Sequence, residues 1–523
     1  LELHRGTYTT HGAVKKANRR LELALRDAEF WALEARLLAG RPVPAAEIDQ
    51  AWKTLLLHQF HDIIPGSSIH WVYEDTKTDH QKVAEATDRI IDESLGAIAA
   101  TIDVADMDAP VLVANSLPFE RREVVEIDGE LRMLTAPPSG WAVVDLAEPD
   151  LADTPPVRAG DGFMDNGIVR IEWDEQGLLR AVRHLASGRN ALPAGGRANL
   201  LQLLDDHPQH WDAWDIDVDA FDGAVDLTMI DRLELSEVDE QRATLRICRS
   251  FGSSQIEQLV QLSRGSGRVE IHCAVDWQET HKLLKVAFPV DVRSATARHE
   301  IQFGHVERPT HTNTSWDAAR FETCAHTWVD LSEHGFGVAL LNDSKYGHDV
   351  SGNVIRLSLL RAPTWPDPVA DRGHHTFAYA LYPHAGSFAE GGVIEQAHGF
   401  NSPLRFVPVS DGAGSGQRRS HSIVMIDDPG VVLSAVKAAD DGQGMVIRLY
   451  EAFGGRRRVR LGVPGAVAAQ RVDLLEQPEA GLDVAVVDHS LELELGAFEL
   501  VTLRIDAAWP ELGVAGGVVR PSS

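Results

Sequence analysis

The 523-residue chain is short of cysteine, of positive charge and of long apolar runs. Its three cysteines, Cys248, Cys273 and Cys324, are too few and too widely spaced for a disulfide scaffold or a CxxC zinc site. That excludes small secreted frameworks and points to a reducing, cytoplasmic setting. Lysine and arginine total 49 against 78 acidic residues, a formal net charge of −29. Phosphate backbones and anionic lipids both call for clustered basic groups, so neither nucleic acid nor a membrane is expected as a partner. No window approaches 18 consecutive apolar residues, so no spanning helix is expected. A Walker-type loop, a GxSxG elbow and a GxGxxG turn after a strand are missing, which leaves nucleotide use and lipase-type chemistry without support. There is no secretory leader and no initiator Met, and the opening Leu1-Glu2-Leu3-His4-Arg5-Gly6 reads as the middle of a longer protein.

What is present is the mixture of a soluble globular protein, 44% hydrophobic and 24% charged. At about 150 residues per domain, the length allows three or four domains. From Val14, apolar positions recur at Ala17, Leu21, Leu25, Ala28, Ala32, Ala35 and Ala39, one buried stripe that Gly40 and Pro42 close. A shorter helix after Pro44 presents Ile48, Trp52, Leu55 and Leu56, and a third from about Val72 to Ile98 buries Val83, Ile90, Ile91 and Leu95. These predict an antiparallel three-helix bundle over 1–105.

After Asp108 the texture turns to short β-branched runs bounded by turn residues, at 109–113, 123–127 and 168–173. Further runs follow at 242–249, 269–277, 285–292, 337–341, 355–360 and 376–382, with few helical periods between them. The expected class is α+β, with the bundle followed by mainly antiparallel β-sandwich domains. The boundaries read as a small β-domain at 106–160, a large β-sandwich at 161–408 and a terminal β-domain at 417–523. Residues 410–416, rich in Gly and Ser, read as a linker, and the runs 431–436, 445–450, 457–461 and 491–503 as a last β-module, 491–503 being read as one strand region.

Two clusters carry chemistry. His58, His61 and Asp62 fall at i, i+3 and i+4, one face of a helix, and offer the imidazole and carboxylate groups that Zn²⁺ takes. The competing reading is a polar helix end closed by Pro65-Gly66. In Asp205-Asp206-His207-Pro208-Gln209-His210-Trp211-Asp212-Ala213-Trp214-Asp215, indole faces stand beside carboxylates, as sugar recognition uses. The same run also reads as an acidic loop pinned by two tryptophans, and spacing alone does not fix the separation of Asp212 and Asp215. Asn342-Asp343-Ser344-Lys345-Tyr346-Gly347, Thr364-Trp365-Pro366-Asp367-Pro368 and His374-His375 read first as turns.

Taken in order, five stretches resemble class II α-mannosidases, glycoside hydrolase family 38, in their bacterial form. They are Leu1–Thr10, Gln59-Phe60-His61-Asp62-Ile63-Ile64-Pro65-Gly66-Ser67-Ser68, Trp211-Asp212-Ala213-Trp214-Asp215, Ser315-Trp316-Asp317-Ala318-Ala319-Arg320-Phe321-Glu322 and Ala380-Leu381-Tyr382-Pro383-His384. The resemblance implies retaining hydrolysis of α-mannosides in oligosaccharides, with a zinc ion that holds sugar hydroxyls and an Asp nucleophile. It places the nucleophile, the acid/base and three of four zinc ligands upstream of Leu1, so no catalytic residue is expected here. The remaining zinc ligand matches His61. Asp62 matches a residue that binds substrate hydroxyls, and His4 matches the place of a sugar-stacking aromatic. Trp211, Asp212 and Trp214 join these as candidate substrate contacts. The piece alone is then expected to be inactive, and broad sandwich surfaces suit a homo-oligomer. The alternative is a non-catalytic carbohydrate-binding β-sandwich protein.

Overall fold

A computed structural model describes residues 4–148, 154–410, 416 and 418–507. Helices α1 (Gly12–Ala39), α2 (Ala45–His58) and α3 (His70–Ala99) stand where the periodicity puts them. Short connections make neighbours antiparallel. Gly40 ends α1 at φ 68°, and the Arg41 N–H closes onto the Ala35 carbonyl at 3.2 Å.

The single stripe expected for α1 is too narrow. Phe30, Trp31, Leu33 and Leu38 are buried as well as Ala28, Ala32 and Ala35. The reason is a second partner: α1 packs on α3 with one face and on the strand Val431–Ala438 with another. One apolar cluster therefore joins the C-terminal half of α1 and the end of α3 to Leu112, Trp141, Val431, Leu433 and Leu503. The stretch between helical and strand texture is correspondingly packed. Ile102 and Val104 are buried, and the Asp103 N–H donates to the Gly416 carbonyl at 3.0 Å. Of the stretch read as a linker, residues 411–415 lie outside the described residues.

A four-stranded sheet crosses the boundaries drawn from sequence. Pro110–Asn115 and Gly140–Asp145 pair with Arg405–Pro408 on one side and Ser420–Ser422 on the other. The small β-domain thus does not close within 106–160; it is completed by chain that returns from the large sandwich.

That sandwich is built on a nine-stranded and a six-stranded antiparallel sheet, with a five-stranded sheet between residues 158 and 190 adding Met164, Ile171 and Val182 to the same core. Alternate residues of facing strands, among them Leu245, Val260, Ile271, Trp277, Val286, Phe288, Leu357 and Tyr379, meet in one core. A fully buried ion cluster sits in the six-stranded sheet. The Lys285 ammonium lies between the carboxylates of Glu322 and Asp349, and the Ser358 hydroxyl donates to Glu322. Burial and the second carboxylate hold Glu322 above the ordinary range, with Lys285 opposing.

In the terminal module the stretch expected as one strand region is two strands in different sheets, Ser490–Leu495 and Leu500–Ala507. Between them Phe498 turns at φ 57°. Its N–H and those of Gly454 and Gly455 converge on the buried carboxylate of Glu451, which fixes the break.

Candidate functional site

Four segments meet at one end of the bundle: residues 4–11, the α2–α3 connection, the 206–217 loop and the 361–371 loop. Arg361 ties three of them together. It ends the strand Val354–Arg361 with its side chain fully buried. A guanidinium has five N–H donors, and all five are used. Nε donates to Asp206 at 2.7 Å, Nη1 to Thr10 Oγ1 at 2.9 Å and the Ala213 carbonyl at 3.1 Å. Nη2 donates to the carbonyls of Asp212 at 3.1 Å and Asp215 at 2.7 Å. Gly6 lies against this group: a Cβ there would fall 1.9 Å from Nη1. Its N–H donates to the Trp214 carbonyl at 2.8 Å, which fastens the segment next to His4 onto the tryptophan loop.

The tryptophans form a shelf in which Trp211 and Trp365 are exposed and Trp214 is half-buried. Trp211 and Trp214 stand 6.0 Å apart between ring centroids, and Trp365 lies 5.4 Å from Trp214. Sequence reading singles out two of these three rings; Trp365 is hidden in a turn beside proline. Asp212 does not serve as a free substrate carboxylate. Its Oδ2 accepts the N–H groups of Thr364 at 2.7 Å and Trp365 at 3.2 Å, and His281 Nε2 lies 3.2 Å away. It braces the Trp365 loop. Asp215 likewise faces Arg5, at 3.6 Å.

The helical face expected for His58, His61 and Asp62 does not form, because α2 ends at His58. His58, 5% exposed, is held between Asp79 at 3.1 Å and Thr76 at 3.2 Å in the α2–α3 seam. His61 and Asp62 turn outward, with side chains 78% and 58% exposed and 3.6 Å between Nε2 and Oδ2. Among the described residues no third His, Cys, Asp or Glu joins them in a metal-binding group. The donors suit Zn²⁺ in kind, but the described residues do not surround an ion. In the flanking sequence, Leu56, Leu57, Phe60, Ile69 and Trp71 are exposed.

The backbone of this turn is firmly held. Lys15 Nζ donates to the Ile64 carbonyl at 2.8 Å and also to that of Thr10. Burial lowers this ammonium to about 7, against the attraction of Asp371. The Tyr73 hydroxyl accepts from the Ser68 N–H at 2.8 Å, and its ring stacks on His11 at 3.5 Å. Asp371 caps α1 from a distant loop, accepting the N–H groups of His11 at 2.5 Å and Gly12 at 2.7 Å. Buried Asp367 faces His11 at 3.2 Å and His70 at 3.3 Å. Burial pushes its carboxyl up, but hydrogen bonding from His11 and the Val369 N–H outweighs that and leaves it below the ordinary range. Sequence reading gives Arg361 and Asp371 no role and takes Asp367 as part of a turn.

Gly66 closes the turn at φ 89°, and a Cβ there would meet the Thr10 carbonyl at 2.7 Å. Gly66→Ala is therefore expected to cost about 1–3 kcal/mol and to displace the His61–Asp62 turn. Gly40→Ala is the control: φ is 68° but nothing stands within 4 Å of its Cβ. It should lose only the conformational part, about 1 kcal/mol. Urea midpoints of the two variants check this; equal losses would remove the steric role of Gly66.

Comparison with known proteins places three family models along the chain. "Alpha mannosidase middle domain" matches residues 2–98, "Glycosyl hydrolases family 38 C-terminal domain" 164–369 and "Glycosyl hydrolases family 38 C-terminal beta sandwich domain" 430–503. Alpha-mannosidase 2C1 of Homo sapiens is 39% identical over 539 residues, covering 97% of this chain and 50% of its own length. The Saccharomyces cerevisiae alpha-mannosidase is 31% identical, covering 96% and 48%. The chain thus spans about half the length of these relatives. A solved alpha-mannosidase from Enterococcus faecalis superposes with a TM-score of 0.83 at 16% identity, over 96% of this chain and 68% of that one, and so shares the fold.

Proposed function

We propose, from the premise that this chain belongs to glycoside hydrolase family 38 and carries its middle and C-terminal domains, that the whole protein is a zinc-dependent retaining α-mannosidase. Its substrates are terminal α-D-mannosyl residues of oligosaccharides. The observation that carries this reading is the His61–Asp62 turn. Its backbone is anchored through Ile64, Gly66 and Ser68, while its two functional side chains stand free. A held backbone with an imidazole and a carboxylate left exposed suits side chains kept ready for a metal and a sugar hydroxyl. In the whole protein His61 would be one zinc ligand and Asp62 would accept a hydrogen bond from a sugar hydroxyl. Zinc, when bound, supplies a Lewis acid for hydroxyl oxygens. The exposed apolar side chains near the pair in the chain, with Phe60 against the His61 ring at 4.3 Å, suit a surface that further chain covers.

Trp211, Trp214 and Trp365 offer flat faces to sugar C–H groups, and His4 lies on the segment that anchors to them. This shelf also suits the second reading, carbohydrate binding without catalysis. The three free thiols agree with a cytoplasmic setting, Cys273 being pushed up to about 12 by burial.

An aryl α-mannoside assay separates the readings. The whole protein should turn over, lose activity on chelation and regain it with Zn²⁺, while the 523-residue chain alone stays inactive. An inactive whole protein that still binds mannose oligosaccharides would favour the binding module. Turnover by the chain alone would refute the assignment of the nucleophile elsewhere.

A further inference from the structure

A cavity of about 410 Å³ lies at the seam between the bundle and the large sandwich. Its walls are the first turns of α1, the middle of α3 and the start of the strand Gly373–Ala385. Two stretches that read as turns in the sequence meet here, through Lys345 and His374-His375. The lining includes Lys16, Arg20 and Lys345 and no carboxylate, in a chain of net charge −29. Ala17, Leu21 and Ala84 form an apolar wall beside them.

Lys345 is only 4% exposed. Among the described residues its ammonium has no hydrogen-bond or ion-pair partner, and it rests 4.3 Å from the centroid of the Phe377 ring. The nearest carboxylates are committed elsewhere. Asp371 accepts two backbone N–H groups at the start of α1, and Asp343 accepts the Ser344 hydroxyl. Burial lowers Lys345 to about 8, while Asp371 and Asp343 raise it and Lys16 lowers it further. Lys16 spends two donors on Thr376 and keeps a third. Arg20 is exposed on the next turn of α1, and its guanidinium has no partner among the described residues. A buried ammonium with no carboxylate in contact is costly unless something anionic meets it.

We propose that this cavity binds a small phosphate-bearing molecule, with the phosphate held by Lys345, Lys16 and Arg20 and the uncharged body on the apolar wall. Ammonium groups are compact point charges that suit a phosphate's tetrahedral oxygens without a planar fork. Three cationic side chains lining one cavity match a dianion better than a single carboxylate. The volume leaves room for a body of sugar size. The site lies apart from the His61–Asp62 turn, so it stands or falls independently of the α-mannosidase reading.

Titration of the protein with inorganic phosphate, glucose 6-phosphate and acetate, followed by calorimetry, tests it. Both phosphates should bind, glucose 6-phosphate more tightly, and acetate more weakly than either. Lys345→Met should weaken phosphate binding by at least about tenfold, and Arg20→Ala by about threefold. Lys345→Met removes a charge with no partner, so it should unfold no earlier than the wild type. Arg20→Ala, on the surface, keeps the test valid if it does. No binding up to about 10 mM phosphate, equal affinity in wild type and both variants, or acetate binding as tightly as phosphate would overturn the proposal.

Discussion

Arg361→Met should destabilise the chain by about 3–5 kcal/mol and loosen the tryptophan shelf. Methionine fills much of the volume but satisfies none of the five acceptors. The Asp206 carboxylate, itself buried, would lose its only ion-pair partner among the described residues. The carbonyls of Asp212, Ala213 and Asp215 and the Thr10 hydroxyl would lose their charge-assisted donors. Arg361→Lys should recover less than half of the loss, because one ammonium cannot reach acceptors spread around a planar fork. Urea unfolding measures the stability, and quenching of tryptophan emission by acrylamide registers the exposed rings, Trp211 and Trp365 among the 12 tryptophans. A loss below about 1 kcal/mol for the methionine variant would mean that the N-terminal segment and the tryptophan loop hold each other without this residue.

The second large effect concerns activity rather than folding. In the whole protein, His61→Ala should lower kcat/KM by about three powers of ten, as the loss of several kcal/mol at a catalytic metal implies. Asp62→Asn keeps the shape but weakens a charge-assisted hydrogen bond, so about one to two powers of ten should be lost. Both side chains are largely exposed and leave the turn's backbone anchors untouched. Unfolding midpoints should therefore stay within about 0.5 kcal/mol of wild type. A purely structural helix end would show the reverse, with shifted midpoints and unchanged kinetics.

The helices and most strands were legible because burial imposes a period, 3.6 or 2, that residues such as Leu21, Leu25 and Ile271 display directly. Where burial had a second source, the period misled. The far face of α1, with Trp31 and Leu33, is covered by the strand Val431–Ala438, remote in sequence. No local pattern announces that partner. The placement of His58, His61 and Asp62 failed for a local reason: helical spacing counts only while the helix lasts, and α2 stops at His58. That same stop separates a locked histidine from an outward-facing pair. Arg361 and Asp371 were illegible because each is a single polar residue, and their roles come from carbonyls and N–H groups supplied by loops remote in sequence.

The central claim is that this chain contributes one zinc ligand, His61, to an α-mannosidase completed by further chain. Zinc content of the whole protein, measured after dialysis against a weak chelator, tests it most directly. Wild type and Asp62→Asn should each retain about one zinc per protein, and His61→Ala should lose most of it with its unfolding midpoint unchanged. A His61→Ala protein that keeps its full zinc complement and its kcat/KM would contradict the claim.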